Sequence, residues 1–147
     1  MTRFEGERRF ASPPAEVFAK LADARFLVPC IPDVHEVKAL EERHAELSLR
    51  PGFAFVRGTL EVKLDIVEAD APTQARVRLA SKGIGSSSEV EATLALSEAD
   101  GGTLVRWAAE VKSLGGLLKL VPSGLIQGAA QKVINDAWNR IEKAMGG

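Results

Sequence analysis

Between Leu60 and Val111 the sequence alternates apolar and polar residues with period two in four successive runs, and the one long amphipathic helix comes after them. Period two places neighbouring side chains on opposite faces of a strand, so each run commits one face to a core and the other to water. In TLEVKLDIV, Leu60, Val62, Leu64 and Ile66 share a face against Glu61, Lys63 and Asp65. ARVRLAS sets Ala75, Val77 and Leu79 against Arg76 and Arg78. EVEATLAL aligns Val90, Ala92, Leu94 and Leu96, and TLVRWAAEV aligns Thr103, Val105, Trp107, Ala109 and Val111. Turn residues separate the runs at Ala71-Pro72-Thr73, Gly83 to Ser88 and Asp100-Gly101-Gly102. Weaker runs at roughly 34–41 and 44–50 and a first strand over roughly 3–11 complete the set. One clean apolar face per strand predicts an antiparallel sheet covered on one side.

Two stretches read as helical. PPAEVFAKLADARFL opens on Pro13 and Pro14, with Ser12 as the expected N-cap and Val17, Phe18 and Leu21 on one side. From Ser123, Ile126, Ala130, Val133, Ala137, Ile141 and Ala144 form a stripe, with Lys132, Asn135, Asp136, Asn139 and Lys143 opposite. The order is therefore strand, helical pair, six strands, long helix. This predicts one α+β domain over residues 1–147, a seven-stranded antiparallel sheet wrapped around the C-terminal helix. The helix is small at mid-length, with Gly124, Gly128, Ala129, Ala130 and Ala137, and the chain has six phenylalanines, two tryptophans and no tyrosine. Small residues facing a curved sheet either leave an apolar cavity or let the two layers approach closely. The cavity is the expectation adopted.

Charge and cysteine content narrow the function. The formal net charge is −1 and no like-charge block occurs, so nucleic acid is not an expected partner. The N-terminal MTRFEGERRF lacks the apolar core of a signal peptide, and no apolar run approaches the ~18–20 residues that span a bilayer. With one cysteine there is no internal disulfide, which suits a reducing compartment. The expectation is a cytoplasmic protein, with a peripheral contact at the inner membrane face left open.

Over nearly its whole length the chain resembles the CoxG family of carbon monoxide dehydrogenase accessory proteins. The stretches that carry the resemblance are FEGERRFASPPAEVFAKLADARFLVPCIPDV, RGTLEVKLDIVEADAP, DGGTLVRWAAEVKSLGG and the Leu/Ile-rich final helix. That family falls in the helix-grip superfamily of START domains, polyketide cyclases and the birch-pollen allergen. The resemblance implies a helix-grip fold, an internal apolar pocket for a lipid- or quinone-like molecule, and a non-catalytic helper role beside a membrane-associated molybdenum dehydrogenase such as carbon monoxide dehydrogenase. Two alternatives stay open: a polyketide-cyclase-like enzyme, and a docking module without ligand. The sequence departs from the family at Asp33, where glycine is usual, and at Arg8, where the first strand is usually apolar. Some members reach the membrane by a C-terminal tail; this sequence ends at Gly147.

The expected cavity walls are Leu64, Leu79, Leu94 and Trp107 from the sheet, with Ile126, Ala130, Val133 and Ala137 from the helix. The expected lid is Leu27, Cys30 and Ile31, at the pocket mouth by the resemblance. Cys30 sits in FLVPCIPDV among apolar neighbours, with no base beside it, and reads as a small buried hydrophobe rather than a nucleophile. His35 and His44 are placed too far apart to share a metal, and no HExxH or CxxC spacing exists, so neither metal nor cofactor is expected. GIGSSS precedes a strand pattern, not a helix, and reads as a turn rather than a phosphate loop. Arg8 shares parity with Phe4, Gly6 and Phe10; the expectation is that it reaches solvent along its stem, the alternative that it holds a ligand oxygen. Phe53 and Phe55 carry the outward parity, and a bulge near Arg57-Gly58 is expected to turn them inward, an exposed patch being the alternative. SLGGLLKLVPSGLI, residues 113–126, holds more apolar surface than one helix face hides; either it all packs on the sheet or part of it meets a membrane or a partner.

Overall fold

The computed structural model describes residues 2–50 and 58–146. The strands are β1 (Arg3–Phe10), β2 (Val34–Leu40), β3 (His44–Leu49), β4 (Leu60–Asp70), β5 (Gln74–Gly83), β6 (Ser86–Ala99) and β7 (Gly102–Gly116). They form one antiparallel sheet in the order β1-β7-β6-β5-β4-β3-β2. Helix α1 (Pro14–Leu21) and the single turn α2 (Ala24–Leu27) follow β1, and a 3-10 turn at Val28–Cys30 leads to β2. A second 3-10 turn at Leu117–Leu120 follows β7 and hands the chain to α3 (Ser123–Ala144). The sequence-predicted architecture is thus the observed one.

The alternation works as expected. Val62, Leu64, Ile66, Ala75, Val77, Leu94, Leu96, Val105, Trp107, Ala109 and Val111 are all buried on the inner face. The outer face is a lattice of ion pairs between strands, including Lys38–Glu61 at 2.8 Å, Arg106–Glu7 at 3.0 Å and Arg76–Glu91 at 3.5 Å. Pairs this exposed add little each, and they keep that face in water. A bulge in β4 between Ile66 and Glu68 leaves Val67 as the extra residue, 43% exposed, and sets Glu68 opposite Arg76 on the outer face.

Three local expectations are revised. Ser12 does not cap α1: Pro13 takes the N-cap position with no side-chain hydrogen bond, and the Ser12 carbonyl accepts from Thr103 Oγ1 at 2.7 Å. Thr103, the polar exception on the inner face, is thereby satisfied within the fold. The β5–β6 turn is tighter than Gly83 to Ser88. Ile84 at φ 57° and Gly85 at φ 68° form its two central positions, and pairing resumes at Gly83–Ser86. Asp33, which replaces the usual glycine, sits at φ 64°, a left-handed conformation that explains why glycine is favoured there. Phe53 and Phe55 lie outside the described residues.

Candidate functional site

The apolar stripe of α3 meets the sheet in two different ways. In its second half, Trp138 and Ile141 are buried and Ile134 and Met145 pack beside them. Trp138 stands 5.9 Å from the Trp107 ring centroid and 6.5 Å from that of Phe10. These residues join Val17, Phe18 and Leu21 of α1 in one closed cluster. Arg8 reaches across from β1, its Nη1 donating to Glu142 Oε1 at 3.2 Å and Asn139 Oδ1 at 3.3 Å. Arg8 is therefore mostly covered and tied to α3, neither running free to solvent nor left for a ligand.

The first half of α3 has no such partners. Ile126, Ala129, Ala130 and Val133 are only half-buried and belong to neither of the two packed clusters of the core. Leu125 is 52% exposed. The sheet shows the same incompleteness at this end: Leu60, Leu79, Ile84, Val90, Ala92 and Leu114 stay half-buried. Of the other elements, the backbone of α3 comes nearest to the 3-10 turn at Val28–Cys30. Gly124 and Gly128 are exposed, so the small residues turned towards the sheet are the alanines rather than these glycines.

The expected wall residues divide accordingly. Leu64, Leu94 and Trp107 are buried, whereas Leu79, Ile126, Ala130, Val133 and Ala137 are half-buried. In the expected lid, Leu27 and Ile31 are half-buried: Leu27 packs on both core clusters and Ile31 on the second. Cys30 is buried and its Sγ donates to the Phe26 carbonyl at 3.6 Å. Burial raises the thiol pKa, and Arg140 only partly opposes this, so the group is held away from its nucleophilic form. Arg140 lies on the second half of α3, which sets the Cys30 turn beside the closed end.

Sequence reading missed two hydroxyls on the inner face. Ser81 and Ser88 pair across β5 and β6, their Oγ atoms 2.5 Å apart. Strand parity carried on from Leu79 and Val90 would have found them. At the open end, Leu117 and Leu120 of the second 3-10 turn are 56% and 79% exposed, and Leu117 lies against Gly85 of the β5–β6 turn. The sharp exit from β7 depends on Gly116 at φ 62°, where a Cβ would run into the Gly85 carbonyl. Two shallow recesses, of about 240 and 280 Å³, belong to strand turns and are not lined by α3. Among the described residues no group of three or more His, Cys, Asp or Glu could hold a metal ion, and no helix is long and apolar enough to cross a membrane.

The sequence profile of one family, the CoxG family named for carbon monoxide dehydrogenase, matches residues 6–146. The chain belongs to that family. Among solved structures, this CoxG-family protein is similar to a conserved protein from Geobacillus kaustophilus at 20% identity and a TM-score of 0.85, covering 99% of this chain and 95% of that one. It is also similar to an AHSA1 protein from Silicibacter pomeroyi at 14% identity and a TM-score of 0.67, covering 99% and 98%. A Thermus thermophilus protein aligns at 18% identity and a TM-score of 0.65, covering 98% and 97%. At these identities the likeness is one of fold, the helix-grip fold that the CoxG-family chain was expected to adopt. No curated protein matches the chain in sequence.

Proposed function

We propose that this CoxG-family protein binds an apolar small molecule, lipid- or quinone-like, between the first half of α3 and the sheet. It does so without catalysis, as an accessory to a membrane-associated molybdenum dehydrogenase such as carbon monoxide dehydrogenase. The observation that carries the reading is the uneven helix: one half closes on the sheet, and the other leaves apolar side chains half-covered on both layers. A ligand lying there would complete the core, gaining roughly 25 cal/mol for each Å² of apolar surface removed from water. Leu79, Ile126, Ala130 and Val133 form its walls in this reading, with Leu64 and Leu94 behind them. Leu27, Cys30 and Ile31, expected as a lid at the mouth, lie instead on the side of the closed half in this reading, and Ala137 marks the join with it.

The family's name supports the dehydrogenase partner. The exposed Leu117, Leu120 and Leu125, with Lys119 among them, support a peripheral contact with a lipid surface at the mouth through which an apolar ligand enters. Ala130→Trp tests the site. The variant is expected to fold as wild type, yet lose a fluorescent fatty-acid probe that the wild type takes up. If it unfolds, the space was already filled; if it folds and keeps the probe, the ligand lies elsewhere.

A further inference from the structure

Ser81 and Ser88 put two hydroxyls on an otherwise apolar part of the inner face. Their row across the sheet runs Val62, Ser81, Ser88, Leu114, and the next row runs Leu64, Leu79, Val90, Val111. No charged side chain shares either row, and both serines are half-buried, as are Leu79, Val90 and Leu114 beside them. Two fixed points set the first half of α3 over these rows. At one end Trp138 stands 5.9 Å from the Trp107 ring centroid, and Ala109 and Val111 separate Trp107 from Leu114 on the inner face of β7. At the other end Leu117 N donates to the Gly85 carbonyl at 3.0 Å, which holds the turn before α3 against the β5–β6 turn, just beyond Ser81 and Ser88. From Ser123 to Trp138 the helix covers about 22 Å, and from Leu114 to Trp107 the strand covers about the same. The start of α3 is therefore level with the two serines.

The two Oγ atoms bond to each other at 2.5 Å, and neither has another partner among the described residues. One hydroxyl proton serves that bond, and the proton of the accepting serine is left over. A serine pair on a fully solvated face spends such a proton on water; this one is half-covered and flanked by apolar side chains. We infer that Ser81 and Ser88 hold the polar end of the ligand, donating the spare proton to a neutral oxygen acceptor of the carbonyl class. The apolar remainder of the molecule lies over Leu79 and Val90, under Ala130 and Val133, and points towards the closed half of α3. This rests on the ligand site proposed above and adds to it an orientation, with the polar end at the exit of β7, and a preferred functional group. An anion gains nothing from the pair, because neither row carries a cation to answer it. A fatty acid fills the same apolar space with its carboxylate left in the water of the mouth. Thr103, also on the inner face of β7, is already committed to the Ser12 carbonyl.

The test uses two probes that differ by one acetyl group, 4′-hexylacetophenone and hexylbenzene, titrated into the wild type and into a double variant carrying Ser81→Ala and Ser88→Ala. Removing both hydroxyls together leaves no orphaned partner, so the double variant is expected to fold as wild type. The wild type should bind the ketone more tightly than hexylbenzene. In the double variant that preference should fall roughly tenfold, as for loss of one hydrogen bond, with hexylbenzene binding unchanged. In the wild-type complex, nuclear Overhauser contacts should join the acetyl methyl group to the β protons of Ser81 and Ser88. Those contacts are read on the unaltered protein, so they decide the matter even if the double variant folds poorly. Equal binding of the two probes, a ketone preference that survives in the double variant, or acetyl contacts to other residues each overturn this assignment while the ligand site stands. Binding of neither probe overturns the ligand site itself, and this inference with it.

Discussion

The two halves of α3 belong to one continuous helix of 22 residues, yet they solve different problems. The second half spends large side chains, Ile134, Trp138, Ile141 and Met145, on a cluster that includes both tryptophans and three residues of α1. Arg8 then fastens it to β1 through Glu142 and Asn139. The first half spends alanines and valine on a face that stays half-covered, and places its exposed leucine next to two more on the preceding turn. Large buried side chains are concentrated at one end of the helix and half-covered apolar surface at the other.

The sharpest way to break this comparison is to truncate each half. Trp138→Ala should cost about 3–5 kcal/mol, the range for deleting a large buried aromatic. Ile126→Ala should cost under about 1 kcal/mol, since its side chain is only half-buried and leaves little cavity behind. Urea denaturation followed by far-UV circular dichroism measures both. Equal losses would mean that the first half is as tightly packed as the second, and the division would fail. Repeating Ile126→Ala with the fatty-acid probe bound should enlarge its effect, because the ligand then packs against that residue.

The mouth gives a second test, smaller in stability but decisive for function. Leu117→Asp and Leu120→Asp alter side chains that are already more than half exposed, so the folding free energy should move by no more than about 0.5 kcal/mol. Association with anionic liposomes in a flotation assay should nonetheless fall strongly in both. Unchanged flotation, or none in the wild type, would sink the lipid contact and leave those leucines to a protein partner.

Much of this was legible in the sequence. Alternation in β4 to β7 specified which side chains face inward because a strand admits only two faces, and the predicted start of α3 at Ser123 matches the observed one. Cys30 was readable as a buried hydrophobe for the same local reason: prolines on either side and no base nearby. The division of α3 was not legible. Ala130 and Val133 look like core positions on a helical wheel, and only the sheet's curvature decides whether anything meets them. Glycine was the misleading signal, since Gly124 and Gly128 turned out to face solvent. The place of the Trp107 ring was equally invisible, because it lies over Gly6, remote in the chain and opposite it in the sheet. Ser12 was misassigned because α1 starts at Pro14 rather than Pro13, which moves the N-cap position on to Pro13.

The smallest expected effect comes from the outer face, remote from both halves, and serves as their control. His44 lies between two carboxylates, with Nε2 2.9 Å from Glu46 Oε2 and Nδ1 2.6 Å from Asp65 Oδ1. The hydrogen bond to Glu46, then that to Asp65, raises the imidazole pKa above its ordinary value, and the same contact lowers that of Glu46. A histidine whose folded pKa is raised contributes stability that is fully present below its unfolded pKa of ~6.5 and is lost as pH rises through the folded value. The wild type should therefore lose slightly more stability than His44→Gln on going from pH 6 to pH 9. The difference should be no more than about 2 °C in Tm, since partly exposed pairs are worth little. The same difference should appear whether or not Ala130→Trp is present. If His44→Gln instead altered probe uptake, the outer face would be coupled to the ligand space, and treating the two halves of α3 as a local matter of packing would no longer hold.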